Sequence, residues 1–286
     1  MRAAAVQLNS TADKDRNLET AERLVREAAA DGATLIALPE RWHLLGDSDV
    51  LLEGAEHLDG PSLTAAREWA RELGVHLVAG SIAERVSGSE LMRNTSVLID
   101  ASGEIVATYR KIHMFDVEVG GVSYRESEHE QAGDEIVVGT VGDVELGLTV
   151  CYDLRFPELY RILAVRGARV ITVPSAFTLA TGRDHWDVLL RARAIENQAF
   201  LIAPNQHGEA PPHFSSYGRS AIVDPWGVVL AQAPDEECFV AAHLDLEAQE
   251  RVRHSLPSLA NRRPEAYRWP SAGEPDPTTA LMEATA

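Results

Sequence analysis

Gly147-Leu148-Thr149-Val150-Cys151-Tyr152-Asp153-Leu154-Arg155-Phe156-Pro157-Glu158 carries a strand pattern straight into a cysteine and then into a helix start. Upstream, Val144, Leu146, Leu148 and Val150 alternate as the inward face of a half-buried strand does. Downstream, Pro157 stands where a first helical turn tolerates a missing N–H. The spacing predicts a helix from Pro157 towards Val165, with Gly167 as its C-terminal cap. A cysteine at such a junction has backbone N–H groups and a helix-end dipole nearby, which favour thiolate and hold a developing oxyanion. A buried, inert cysteine is the alternative, since cysteine is among the most buried residue types.

Outward from this stretch the chain repeats a strand, helix, strand rhythm. Before it, Ala3 to Leu8 reads as a buried strand, Asp13 to Ala30 as a helix closed by Asp31-Gly32, and Thr34 to Glu40 as an apolar strand ending in an acid. Pro61 to Leu73 is a second helix closed by Gly74, and Val75 to Ile82 the next strand. Asn94 to Lys111 reads as a hairpin turning at Ala101-Ser102-Gly103. From Ile112 to Asp134 periodicity dissolves, and long irregular loops inside domains are usually functional or disordered. After Cys151, Arg169 to Ser175 is a strand, Trp186 to Gln198 a helix with Trp186, Leu189, Leu190 and Ala194 inward, and Phe200 to Asn205 a strand. Gly218 to Ala233 forms a hairpin through Asp224-Pro225-Trp226-Gly227, and Cys238 to Leu244 is the last strand. Function in α/β folds gathers at strand C-termini, where Glu40, Lys111 and Cys151 all stand. For Glu40 a solvated loop acid is the alternative.

Composition narrows the classes. The 286 residues suit one large α/β domain or two smaller ones, and short linkers with no low-complexity boundary favour one. No window approaches the ~18 apolar residues of a membrane span, and the start MRAAAVQLNS has no signal-peptide shape, so a cytoplasmic protein is expected. A net charge of −18 opposes nucleic acid and anionic membranes as partners. Two cysteines, Cys151 and Cys238, supply no disulfide framework, and no CxxC or HxxxH spacing suggests a metal.

Leu38-Pro39-Glu40, Tyr109-Arg110-Lys111 and the cysteine stretch together resemble the nitrilase superfamily of carbon–nitrogen hydrolases. Asn94-Thr95-Ser96, His185-Trp186, Arg191 to Gln198, Ser220 to Gly227 and Arg262-Arg263-Pro264 fit the same family, so the resemblance spans residues 2 to 269. Within it, Lys111 to Val119 and Arg125-Glu126-Ser127 look like the branch containing omega-amidase and deaminated glutathione amidase. Those relatives usually carry Pro-Gly where this chain has Gly120-Gly121, a departure that bears on loop shape and substrate choice.

The resemblance implies a four-layer αββα sandwich of two mixed sheets flanked by helices. It implies one carbon–nitrogen hydrolase domain over residues 1–269, and residues 270–286 then form a flexible or subunit-contacting tail. It further implies a homodimer joined through helical faces, no cofactor, and hydrolysis of a small linear amide through a thioester on Cys151. A free thiol has a pKa of about 8.5 and needs help at neutral pH. Glu40 is expected as the base, and Lys111 with the Tyr152 N–H as the oxyanion donors. Glu126 is the expected second acid, with Glu118 its competitor. Arg125 or Arg183, beside Tyr152, is expected to hold a distal carboxylate of the substrate. Arg193 and Glu196 read as a structural pair, Arg155 as a carboxylate-bonded lock on the turn, and Cys238 as core. An aliphatic amidase, nitrilase or N-carbamoyl amino acid hydrolase would use the same three residues, and a catalytically silent binding scaffold is the rival from another class.

Overall fold

The computed structural model describes residues 1–119, 121–210 and 214–267. The first half of the chain supplies strands β1 (Arg2–Gln7), β2 (Leu35–Ala37), β3 (His76–Val78), β4 (Ile82–Arg85), β5 (Met92–Ile99) and β6 (Ile105–Arg110). A small hairpin, β7 (Asp116–Val119) and β8 (Val122–Arg125), is followed by β9 (Val138–Val141), β10 (Val144–Leu148), β11 (Val170–Thr172) and β12 (Phe200–Ala203). The remaining strands are β13 (His207–Ala210), β14 (Phe214–Tyr217), β15 (Ala221–Val223), β16 (Val229–Gln232) and β17 (Cys238–His243). Helices are α1 (Lys14–Ala30), α2 (Ser48–Glu53), α3 (Pro61–Leu73), α4 (Pro157–Val165), α5 (Leu179–Asn197) and α6 (Leu246–Ser255).

One sheet runs β17-β1-β2-β3-β5-β4 with β6 also on β5, and the other runs β16-β15-β12-β11-β10-β9. In each, three strands are parallel, β1 with β2 and β3, and β10 with β11 and β12. Helical crossovers through α1, α3, α4 and α5 make this possible, since parallel neighbours cannot be joined by a tight turn. Period-two alternation then sorts the side chains. Ala3, Ala5, Leu35, Ala37, Leu146, Leu148, Val170 and Ile202 pack between the sheets. Ala4, Val6 and Ile36 turn towards α1 and α3, while Ile171 and Leu201 turn towards α4 and α5. Each fully buried Val, Leu or Ile contributes roughly 1.5–3 kcal/mol. The continuous apolar runs in the sequence are therefore strands covered on both faces, and the layers are helix, sheet, sheet, helix.

Some segments depart from the pattern reading. The expected strand Val75–Ile82 is broken into β3 and β4, because Gly80 adopts φ +43 and a Cβ there would sit 1.9 Å from the Pro39 carbonyl. The loop bearing Glu40 crosses at that point. Helix α5 begins at Leu179, seven residues before Trp186, with Trp186, Leu190 and Ala194 buried and Leu189 partly so. The segment after Lys111 contains the β7–β8 hairpin and a 3₁₀ turn over Glu126–Glu128 instead of being wholly irregular. Cys238 is half-buried at the start of edge strand β17 and is not core. The hairpins read at Asn94–Lys111 and Gly218–Ala233 form as β5–β6 and β15–β16. The tail 270–286, expected to be flexible or subunit-contacting, and Gly120 lie outside the described residues.

Candidate active site

Strand ends from both sheets deliver the site. Glu40 stands three residues past β2, Lys111 directly past β6, and Cys151 three residues past β10. Cys151 has φ +48, a left-handed conformation that costs a non-glycine residue roughly 1–3 kcal/mol unless its surroundings hold it. Its N–H donates to the Pro174 carbonyl at 2.8 Å, and a 3₁₀ turn over Cys151–Arg155 follows. Fully buried Asp153 braces that turn, accepting from the Val150 N–H (2.8 Å), the Tyr109 hydroxyl (2.6 Å) and the His113 N–H (3.3 Å), with His113 Nδ1 at 2.7 Å. The Tyr152 N–H lies in the first turn, where N–H groups have no intrahelical acceptor.

The charged groups form one buried cluster. Lys111 is 1% exposed, and its Nζ donates to Glu126 Oε2 and Oε1 at 2.8 and 2.9 Å and to Glu40 Oε1 at 3.3 Å. Glu40 Oε1 also accepts from Asn94 Nδ2 at 2.7 Å, and Oε2 from the Ala176 N–H at 2.8 Å. Glu126 further accepts the Phe115 N–H at 2.8 Å. Glu118, by contrast, has a side chain 78% exposed on the hairpin, and among the described residues its ion-pair partner is Arg125, at 4.0 Å.

Burial raises the Glu40 carboxyl, but Lys111 and Arg41, with the Cys151 thiol and the Ala176 N–H, hold it below the usual range. Burial lowers the Lys111 ammonium, and Glu126, Glu40, Cys151 and Glu130 reverse that and push it well up. The Cys151 thiol is pushed well up by burial and then by the Glu40 charge, against Lys111. The resting state is therefore thiol, carboxylate and ammonium. Proton transfer from sulfur to Glu40 is uphill until attack on a carbonyl consumes the thiolate.

Cys151 opens into a cavity of about 300 Å³ whose wall includes Glu40, Glu126, Tyr152, Arg125 and Arg155. Phe115 sits edge-on to the Tyr152 ring at 5.0 Å and tilted against Tyr124 at 5.0 Å, packing the hairpin over the cysteine turn. Arg183 does not line this cavity. Because α5 begins at Leu179, Arg183 lies inside the helix on its exposed side, not on a loop facing the site. Arg125 does line it, although its guanidinium already donates to the Tyr124 carbonyl at 2.9 Å. Arg155 differs from the sequence reading. Among the described residues it has no carboxylate partner; its guanidinium lies 5.1 Å from the Phe177 ring centroid and 3.1 Å from His185 Nδ1. Arg193 pairs with Glu196 at 3.0 Å and donates to the Leu154 carbonyl at 2.9 Å, a structural tie to the cysteine turn. Sequence reasoning missed Arg41 and Glu130, buried beside the cluster, and the signal available was the position of Arg41 next to Glu40. Among the described residues no group of three or more His, Cys, Asp or Glu is placed to hold a metal.

The chain is 40% identical to deaminated glutathione amidase of Synechocystis sp. (strain PCC 6803 / GT-S) over 91% of its own length and 97% of that protein. It is 35% identical to human omega-amidase NIT2 over 93% and 96%. The crystal structure of the C. elegans NitFhit protein superposes with a TM-score of 0.88 at 35% identity, covering 93% of this chain and 66% of that one. The profile of the carbon-nitrogen hydrolase family matches residues 2–254, and with these relatives and the nitrilase-type sandwich it makes this chain a member of that family.

Proposed function

We propose that this protein is an amidase that hydrolyses a small linear amide bearing a carboxylate at its far end, of the 2-oxo acid omega-amide or deaminated glutathione type. The observation that carries this reading is the contact of Lys111 with both Glu40 and Glu126 beside Cys151, on a cavity that also holds Arg155 with no carboxylate partner among the described residues. Arg155 or Arg125 serves as the carboxylate clamp. In the reaction, Cys151 Sγ attacks the amide carbon while its proton passes to Glu40. Lys111 Nζ and the Tyr152 N–H hold the oxyanion. Glu40 returns the proton to the departing nitrogen, releasing ammonia or an amine and leaving a thioester. Glu40 then takes a proton from water as hydroxide adds to the thioester, and on collapse it gives that proton to sulfur, releasing the Cys151 thiol and a carboxylic acid that ionises to the carboxylate in solvent.

Ammonia release from glutaramate-type amides, set against nitriles and N-carbamoyl amino acids, tests the reaction class. Faster turnover of a nitrile or a carbamoyl substrate overturns it. Intact-mass spectrometry of wild type and Cys151→Ala with substrate tests the thioester, since only the wild type is to carry an acyl adduct. The reading extends to one catalytic domain over residues 1–269 and to a cytoplasmic homodimer. It draws support from the core layer shared by both sheets, two free thiols, and exposed Ile162, Val165, Val188 and Ile195 on α4 and α5.

A further inference from the structure

Arg41 follows Glu40 directly, and Glu130 lies four residues beyond Glu126. Their side chains form an ion pair, each 4% exposed, so the pair is deeply buried. Arg41 has φ +56, a strained conformation for a non-glycine residue that persists only when held. Its N–H donates to Ser81 Oγ at 3.2 Å, its Nη2 donates to Glu130 Oε1, and its carbonyl accepts the Leu44 N–H at 3.2 Å. The Glu130 N–H in turn donates to the Glu126 carbonyl at 2.8 Å, and the flanking residues are tied to β5 through Met92, at 3.0 Å from its N–H to the His129 carbonyl and 2.8 Å from the Gln131 N–H to its carbonyl. The pair thus bridges the turn that carries Glu40 and the turn that carries Glu126, the two acids that share Lys111.

We infer that the Arg41–Glu130 ion pair is a positioning clamp, which sets the separation of Glu40 and Glu126 across Lys111 and so aims the ammonium at Cys151. The inference rests on the proposed roles of those residues. Arg41 and Glu130 act through the cluster, not on the reacting atoms. Without Glu130, the Arg41 guanidinium is a second cation beside Glu40, whose carboxylate already feels its charge, and it competes there with Lys111. A misplacement of about 1 Å among reacting groups costs roughly a hundredfold in rate.

The pair also sits where pH can act on it. Burial, opposed by Arg41 and Lys111 and reinforced by Glu126 and Glu40, pushes the Glu130 carboxyl up to about 7. Among the described residues those four groups are the foremost charges acting on it. A raised carboxyl is neutral below that pH and ionised above it, so the ion pair weakens as pH falls through about 7.

The test is the rate at which iodoacetamide alkylates Cys151, followed by intact mass in a Cys238→Ser background from pH 5.5 to 8.5. Parallel kcat and KM values are taken on an amide that the wild type hydrolyses. The wild type is to show an inflection near pH 7. Glu130→Gln is to remove it, slow alkylation at pH 8 by about tenfold and lower kcat by about 10- to 100-fold, with KM within about threefold. Glu128→Gln, exposed in the same loop, is to leave both rates unchanged. Wild-type alkylation with an intact inflection in Glu130→Gln overturns the clamp. Should that variant not fold, the same result in Arg41→Lys, which keeps the charge but loses the fork, overturns it equally. Alkylation needs no substrate, so a protein that shows the clamp's effects yet hydrolyses no amide overturns the proposed function and leaves the clamp standing.

Discussion

Replacing Glu40 by Gln alters a single atom, and the surroundings make that atom consequential. Donors converge on both carboxylate oxygens: Asn94 Nδ2 at 2.7 Å and Lys111 Nζ at 3.3 Å on Oε1, the Ala176 N–H at 2.8 Å on Oε2, and the Cys151 thiol beside them. Whichever way a Gln amide is turned, its NH₂ faces at least one of them. One charge-assisted bond therefore becomes a donor–donor contact, a loss of about 1.5–3 kcal/mol. At about 2–4 °C per kcal/mol for a chain of this size, Tm falls by roughly 3–12 °C. Activity falls further, because an amide cannot accept the sulfur proton, and loss of a general base typically costs about 10²- to 10⁴-fold in kcat. Thiol reactivity moves the other way. The Glu40 charge helps to push the Cys151 thiol up while Lys111 opposes it, so removing that charge eases thiolate formation. Alkylation of Cys151 by iodoacetamide at pH 8 is thus expected to hold steady or accelerate in Glu40→Gln while amide turnover collapses. A kcat within tenfold of wild type, or alkylation that falls in parallel with turnover, refutes the assignment of Glu40 as base.

Cys151→Ala is expected to abolish turnover and keep the fold, whereas Cys238→Ala, on a half-buried edge strand, leaves activity nearly unchanged; steady-state kinetics and circular dichroism check both. Lys111→Ala also abolishes turnover, but it strips the shared cation from Glu40 and Glu126 and costs about 3–5 kcal/mol, read by denaturant unfolding. Arg155→Ala is expected to raise KM for carboxylate-bearing amides by about 10- to 100-fold, with less effect on neutral amides. If only Arg125→Ala does so, the clamp is Arg125, and equal losses on both substrate types remove the charge-clamp idea. Val188→Glu on the exposed side of α5 is expected to drive a dimer towards monomer in light scattering; a 31.2 kDa particle for the wild type at micromolar concentration contradicts the dimer itself.

Much of the molecule was legible in the sequence because its signals are local. Period-two alternation at Val144, Leu146 and Leu148, apolar runs such as Leu35-Ile36-Ala37, Pro61 and Pro157 at helix starts and Gly74 at a helix end each follow from the backbone preferences of a few neighbouring residues. The strand pattern also placed Glu40, Lys111 and Cys151 at strand ends, whereas the αββα layering and the roles expected of those three residues followed from motif resemblance to a family, which local periodicity alone would not have supplied. What the sequence could not determine were contacts made across long separations in the chain. The break at Gly80 depends on the Pro39 carbonyl crossing it, and the early start of α5 removes Arg183 from the cavity while Arg155 remains on its wall. The pairing of Arg41 with Glu130 spans 89 residues, and the choice of Glu126 over Glu118 depends on which carboxylate a folded loop lays against Lys111. The sequence by itself determined which residue types stand at the strand ends. Only tertiary structure decided which of them meet, because charge pairing and burial act through space between segments that no local pattern relates.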